Sequence, residues 1–375
     1  MITASHNPPQ YNGIKFKGPY GGPFLTEETH KIESLLDKDE AKLSEVNVFL
    51  VDFTQGYIKQ VERLVDFNAV RIAGINILID SMAGAGQRII EDLLRKNNCS
   101  SKTIFETAQS DFASRQPEPI EKNLKPLSKE LKESGLYSFG IATDGDADRV
   151  GILMDNGEWL SAQETILYLA DFLVNQKSIS GGLVKTSSVS DKLIKVAKKA
   201  GRPLFNVQVG FKYICEKMIT EDIAFGAEES GGYGYKGHMP ERDGILSGLL
   251  VAEMLSVSGY RKLSDFVNHK RREFGPIYYN RIDLEYHNSN RIDLLPILYA
   301  KKFDRIGGEK ITGVQTFLSS REIINGLKYT FEGDARWLLI RASETEPLLR
   351  FYAEGSSDRD VSHLLELGTN ITKIG

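Results

Sequence analysis

The chain has 375 residues, 41% apolar and 26% charged, with a formal net charge of −4. Such a balance is ordinary for a soluble globular protein of two to four domains and argues against a general nucleic-acid binder. No apolar run approaches the ~18 residues of a membrane helix, the start lacks the features of a signal peptide, and Cys99 and Cys215 are too far apart in sequence to suggest a disulfide or metal framework, so a cytoplasmic, reducing setting is expected.

The first motif in chain order is Thr3-Ala4-Ser5-His6-Asn7-Pro8, with Lys15 downstream. A serine flanked by His and Asn in a proline-stiffened loop is a candidate nucleophile or phosphate carrier. The same composition also makes ordinary turns. Next, Ile75-Asn76-Ile77-Leu78-Ile79-Asp80 reads as a strand that runs through Gly84 and Gly86 into an amphipathic helix near Gln87 to Lys96. Phe139 to Thr143 and Val150 to Met154 read as two buried strands, the second closed by a turn at Asn156-Gly157.

Between those strands stands Asp144-Gly145-Asp146-Ala147-Asp148-Arg149. Three carboxylates at alternate positions converge when the backbone curls around a cation, and an all-oxygen set suits Mg²⁺, Mn²⁺ or Ca²⁺. An EF-hand needs glycine at its sixth position, where Arg149 stands, and helices at its flanks, where strands are expected. A solvated acidic turn is the plainer alternative.

Further on, Ser161 with Glu164 forms a capping box that opens a helix, and a lysine-rich helix from Asp191 stops at Gly201 with Pro203 beyond. The run Gly226-Ala227-Glu228-Glu229-Ser230-Gly231-Gly232 leads to His238, Arg242, Asp243 and Gly244. Its carboxylates and hydroxyl suit the vicinal hydroxyls of a sugar, or form a polar loop. An apolar helix follows near Gly244 to Ser256, and after about residue 265 strands, a helix, more strands and a last helix near Asp360 to Ile371 suggest a smaller α+β domain. Within it, Arg341-Ala342-Ser343-Glu344-Thr345-Glu346-Pro347 links two strands; Arg, Ser and Thr there suit a phosphate dianion, or mark a hairpin with a surface arginine. The alternation of strands and helices makes the fold class α/β and multi-domain.

Taken together, Thr3 to Gly22, Asp144 to Arg149, Gly226 to Gly232 and Arg341 to Pro347 resemble, in that order, the phosphohexomutase superfamily, in its phosphoglucomutase/phosphomannomutase branch. Smaller echoes are Asp80 to Gly86, Pro117-Glu118-Pro119 and Val209-Gly210-Phe211-Lys212. The resemblance implies four domains around a cleft: residues 1–46 as a remnant of domain 1, 47–155, 156–264, and a TATA-binding-protein-like domain at 265–375. It implies that Ser5 is phosphorylated, and that Asp144, Asp146 and Asp148 hold one Mg²⁺ together with an oxygen of the Ser5 phosphate. Glu228 and Ser230 would bind sugar hydroxyls, while Arg341, Ser343 and Thr345 would hold the phosphate that is not transferred. Lys15 and Arg149 fall at charged positions near the transfer site, Lys15 as acid–base group, and Lys212, His238 and Arg242 at substrate contacts. A phosphoserine and three carboxylates carry about −4.5 to −5; one Mg²⁺ leaves a deficit that Lys15, Arg149 and a protonated His6 are expected to offset.

The implied partners are hexose phosphates, glucose and/or mannose, interconverted through a hexose 1,6-bisphosphate, with no nucleic acid or membrane and the oligomeric state open. The run Glu228-Glu229-Ser230-Gly231-Gly232 resembles the glucose/mannose branch, since the phosphoglucosamine branch usually carries Gln in that run; phosphoglucosamine mutase is the alternative enzyme, and a catalytically impaired sugar-phosphate-binding fragment the alternative of another class. Two departures stand out. The serine loop comes earlier than in the family, from which poor activity or aggregation is expected. Glu344 replaces a Gly or Asn that tolerates positive φ.

Overall fold

The computed structural model describes residues 1–36, 48–287, 291–319, 321–343 and 346–373. Two compact units share the chain: Met1–Thr165, Cys215–Glu221 and Ser230–Lys270 form one, and Ile166–Ile214, Asp222–Glu229 and Arg271–Gly375 the other.

The first unit is built on a five-stranded sheet of β1 (Asn76–Asp80), β2 (Ser100–Ile104), β3 (Phe139–Thr143), β4 (Val150–Met154) and β5 (Trp159–Leu160), in the order β2-β1-β3-β4-β5. β1 is parallel to both its neighbours, and β4 and β5 turn the edge antiparallel. β3 and β4 are buried throughout, as their unbroken apolar sequences require of strands covered on both faces. The helix Lys125–Ser134 packs on β1 and β3 and ends at Gly135 in the left-handed region. The helix Gly244–Val257 packs on β3 and β4 and is buried from Gly244 to Leu255, which explains a sequence that is apolar all round. Asp243 caps it by accepting from the Leu246 amide.

In the second unit β6 (Gly182–Thr186) lies between β7 (Leu204–Val207) and β8 (Ile223–Glu228), all parallel. The expected lysine-rich helix spans Leu193–Ala200 and stops at Gly201 in the left-handed conformation. β9 (Gly232–Tyr235) belongs to the first unit. The C-terminal part of the second unit is an antiparallel sheet of β10 (Tyr278–Glu285), β11 (Arg305–Ile306), β12 (Glu309–Leu318), β13 (Ile324–Phe331), β14 (Trp337–Ala342) and β15 (Leu348–Gly355), ordered β10-β15-β14-β13-β12-β11.

Strand alternation gives this sheet two different faces. Leu327, Tyr329, Leu338, Ile340, Phe351 and Ala353 build a core with the helices Arg291–Ala300 and Asp358–Thr372. The intervening residues, Lys328, Trp337, Arg341, Arg350 and Glu354, form the other face. Onto it packs the segment after β6. Asp191 accepts from Lys185 Nζ at 2.7 Å and Lys328 Nζ at 2.9 Å, while Glu354 accepts from Ser190 Oγ at 2.6 Å and Trp337 Nε1 at 2.7 Å. Lys328 also lies 3.9 Å from the Trp337 ring centroid. Lys185 and Lys328 thus share the Asp191 carboxylate, whereas buried Glu354 is satisfied by neutral donors. Among the described residues no helix is long and apolar enough to cross a membrane.

Candidate active site

The run Asp144 to Arg149 is the connection of the β3–β4 hairpin, whose last paired residues are Thr143 and Val150. Neighbouring backbone pins it from several directions. The Gly145 amide donates to the Pro117 carbonyl at 3.2 Å, its carbonyl accepts from Ala85 at 2.9 Å, and the Ala147 carbonyl accepts from Gly244 at 3.0 Å. Ala147 is held at φ 62°, a conformation costing an alanine about 1–3 kcal/mol and kept only where surroundings enforce it. The result is convergence: Asp144, Asp146 and Asp148 each offer an oxygen within 4.8 Å of the others.

The serine loop meets this cluster within the same unit. Ser5, at φ 54°, donates from Oγ to Asp144 Oδ2 at 3.1 Å. Thr3 bridges the two segments, accepting from the Ser5 amide at 2.9 Å and donating to Asp146 at 2.8 Å. Lys15 pairs with Asp146 at 3.1 Å and stands 3.6 Å from Asp148, and Arg242 pairs with Asp148 at 2.7 Å. Arg149 Nε lies 3.8 Å from Asp148 and 4.0 Å from Asp144. A Cβ at position 145 would collide with the Ser5 carbonyl oxygen, so glycine is what allows the two loops to touch.

Electrostatics differ across the three carboxylates. Burial, then Asp148 and Asp146, push the Asp144 carboxyl well above the usual range. Asp148 is also raised, by burial against the pull of Arg242. Burial works upward on Asp146 too, but Lys15 and the Thr3 hydroxyl bring it below the ordinary value. The Oδ1 atoms of Asp146 and Asp148 are buried without a hydrogen-bond partner among the described residues. Raised carboxyl pKa values and orphaned acceptor oxygens are what a hard divalent cation would relieve, so the donor set fits Mg²⁺.

His6 corrects one expectation. Its Nδ1 lies 3.4 Å from Ser5 Oγ, but burial, then Arg149 and Arg242, lower its pKa to about 4. With Ser5 unphosphorylated the ring is held toward its neutral form, and Arg242 adds a positive charge beside Lys15 and Arg149. The Nε2 of His238, an expected substrate contact, stands 2.9 Å from Asp243, and its side chain is 3% exposed. Tyr57 donates to the same carboxylate at 2.9 Å. Lys17 pairs with Glu241, tying the serine segment to the loop that carries Arg242.

Of the remaining expected residues, Ser230 lies in the first unit, where the next residue's carbonyl accepts from Val150 at 3.0 Å. Glu228, Lys212, Arg341 and Ser343 belong to the second. Glu228 and Ser343 are buried, Lys212 Nζ stands 4.9 Å from the Tyr213 ring, and Ser343 Oγ accepts from the Glu346 amide at 3.2 Å. Glu344 and Thr345 lie outside the described residues. Sequence reasoning missed Thr3, whose place two residues before Ser5 was the available signal.

Comparison with known proteins agrees with this geometry. Models of the phosphoglucomutase/phosphomannomutase family match in order: alpha/beta/alpha domain I at residues 1–43, domain II at 55–157, domain III at 162–274 and the C-terminal domain at 297–367. A phosphoglucomutase/phosphomannomutase of Thermococcus kodakarensis is 30% identical over 99% of this chain and 77% of its own length. A phosphoglucosamine mutase of Methanocaldococcus jannaschii is 30% identical over 100% of this chain and 80% of its own. The crystal structure of a protein assigned as a phosphomannomutase from Thermus thermophilus superposes with a TM-score of 0.83 at 32% identity, covering 100% of this chain and 78% of that one. The chain is a mutase-type enzyme and belongs to the phosphoglucomutase/phosphomannomutase family of the phosphohexomutase superfamily.

Proposed function

We propose that this enzyme interconverts hexose 1-phosphates and hexose 6-phosphates, glucose and/or mannose, through a phosphoserine at Ser5 and a hexose 1,6-bisphosphate. The observation that carries this reading is the Ser5 hydroxyl 3.1 Å from Asp144 inside the three-carboxylate cluster. In the first half-reaction the bond between phosphorus and the Ser5 oxygen breaks. A new one forms to the free hydroxyl of the sugar phosphate, whose proton leaves to a base. The second half returns the other phosphoryl group to Ser5. Asp144, Asp146 and Asp148 would hold Mg²⁺, which when bound offsets charge on the phosphoryl oxygens. Lys15, Arg149 and Arg242 add positive charge at the same place, where positioning and neutralisation do most of the catalysis. Lys15 is the proposed acid–base group, Glu228 and Ser230 the proposed partners of the sugar hydroxyls. Arg341, Ser343 and Thr345 are the proposed hold on the phosphate that stays.

A second substrate reading is glucosamine phosphate, favoured by relatives of that name at the same identity as those named for glucose and mannose. A coupled assay on glucose 1-phosphate, mannose 1-phosphate and glucosamine 1-phosphate separates the two. Intact-mass measurement after incubation with glucose 1,6-bisphosphate tests the chemistry. One phosphoryl adduct, absent from Ser5→Ala, is expected; a protein that takes up none under these conditions refutes the phosphoserine cycle.

A further inference from the structure

The face of the C-terminal sheet that carries Arg341 also carries acids. Asp283, Arg350 and Arg341 form one cross-strand row over β10, β15 and β14, each directly opposite the next. Opposed residues of an antiparallel pair point to the same side, and Arg281, two residues before Asp283, shares it. Two arginines facing each other across a strand pair repel, so this row is costly unless something answers it. Asp283 receives Arg281 Nε at 2.7 Å and Nη2 at 2.5 Å, and stands 3.6 Å from Arg350 Nε. Glu346 accepts from Arg350 Nη2 at 2.5 Å. The fork that Arg281 offers to Asp283 is the one an arginine offers to a phosphate. Arg281 is 38% exposed, Asp283 32% and Arg350 22%, so an incoming ligand can reach all of them. Although burial opposes it, the bond from Arg281, with Arg350 and Arg341 behind it, keeps Asp283 ionised below the ordinary carboxylate range.

Resting on the mutase reading above, we propose that Asp283 is a resident competitor for the substrate's non-transferring phosphate. It pairs with Arg281 and Arg350 while the phosphate is away and gives them up when the phosphate arrives. Such a competitor suits the reaction. A bisphosphate must release one phosphate and offer the other in mid-cycle, and three unopposed arginines would hold the first too tightly. Binding the intermediate and the transition state equally well would not help turnover. Asp283 therefore offsets part of the arginines' attraction, leaving a grip that can let go.

The test compares the full-length enzyme with Asp283→Asn, an isosteric change at an exposed position, using inorganic phosphate as a competitive inhibitor and a hexose 1-phosphate as substrate. Asp283→Asn is expected to lower both the phosphate inhibition constant and KM by about three- to ten-fold, with a lower kcat as release slows. Glu346→Gln is expected to act in the same direction and serves as the independent second variant. Were Asp283 merely a support for Arg281, its loss would raise KM instead, and that result, or unchanged constants in both variants, overturns the proposal. Arg341→Lys separates the two levels. If it leaves phosphate inhibition unchanged, the assignment of the phosphate site itself fails. If it weakens inhibition while Asp283→Asn does not strengthen it, only the competitor fails.

Discussion

Ser5 and Asp144 meet through backbone that leaves no room for a side chain at position 145. Gly145→Ala puts a methyl group against the Ser5 carbonyl oxygen, so the serine loop must back away from the carboxylates. Displacement of about 1 Å at a reacting group costs ~10²-fold in rate. The expected outcome is a kcat reduced on that scale with circular dichroism unchanged; wild-type turnover would mean that the contact does not set the geometry of transfer. At this scale the sequence was informative about Ser5 and the three aspartates, because alternation and the flanking strands are local signals. It was silent about charge. Whether His6 carries a proton depends first on its burial and then on Arg149 and Arg242, which lie more than a hundred residues away along the chain. That Arg242 pairs with Asp148 is likewise a product of folding rather than of any motif.

Among the elements, β13 hides its most consequential residue. Lys328 reads as the polar position of an alternating strand, a reading that would send it to solvent, yet it is fully buried beside Lys185 with Asp191 between them. Asp191→Asn removes the one carboxylate both lysines share and is expected to cost about 3–5 kcal/mol of stability, measurable by denaturant unfolding. A second expectation concerns pH. Burial first, then Lys185, lower the Lys328 pKa to about 7 against the pull of Asp191. A lysine depressed in the folded state binds fewer protons there than in the unfolded chain between pH 7 and its unperturbed value near ~10.4. Its contribution to stability therefore rises with pH across that window. Wild type should gain more stability from pH 7 to pH 9 than Lys328→Met; equal gains would show that Lys328 does not titrate there. Helix ends, by contrast, were legible from the chain itself. Gly201 and the Ser161–Glu164 box stop and start helices as their residue types dictate, the latter with the Glu164 amide 3.2 Å from Ser161 Oγ.

For the molecule as a whole, the cation is the simplest lever. Enzyme stripped by a chelator is expected to lose turnover and to regain it with added Mg²⁺. Independently of activity, the melting temperature should climb with Mg²⁺ concentration, since a ligand that binds only the native state stabilises it by mass action. A melting curve indifferent to Mg²⁺ would leave the three carboxylates without the role assigned to them. At this scale the order of motifs was visible in the sequence because each is short and self-contained. The pairing of β10 with β15, some seventy residues apart, was not, since nothing in either strand names its partner. Ser5, the three aspartates, Lys15, Arg149 and Arg242 all belong to a single unit, whereas Glu228 and Arg341 belong to the other. On the proposed cycle, a phosphoryl group on the serine would keep its counter-charges whether or not a sugar is engaged. The resting enzyme should idle in its charged form, and the rate at which bisphosphate escapes, rather than the number of completed cycles, should decide how often it needs re-priming.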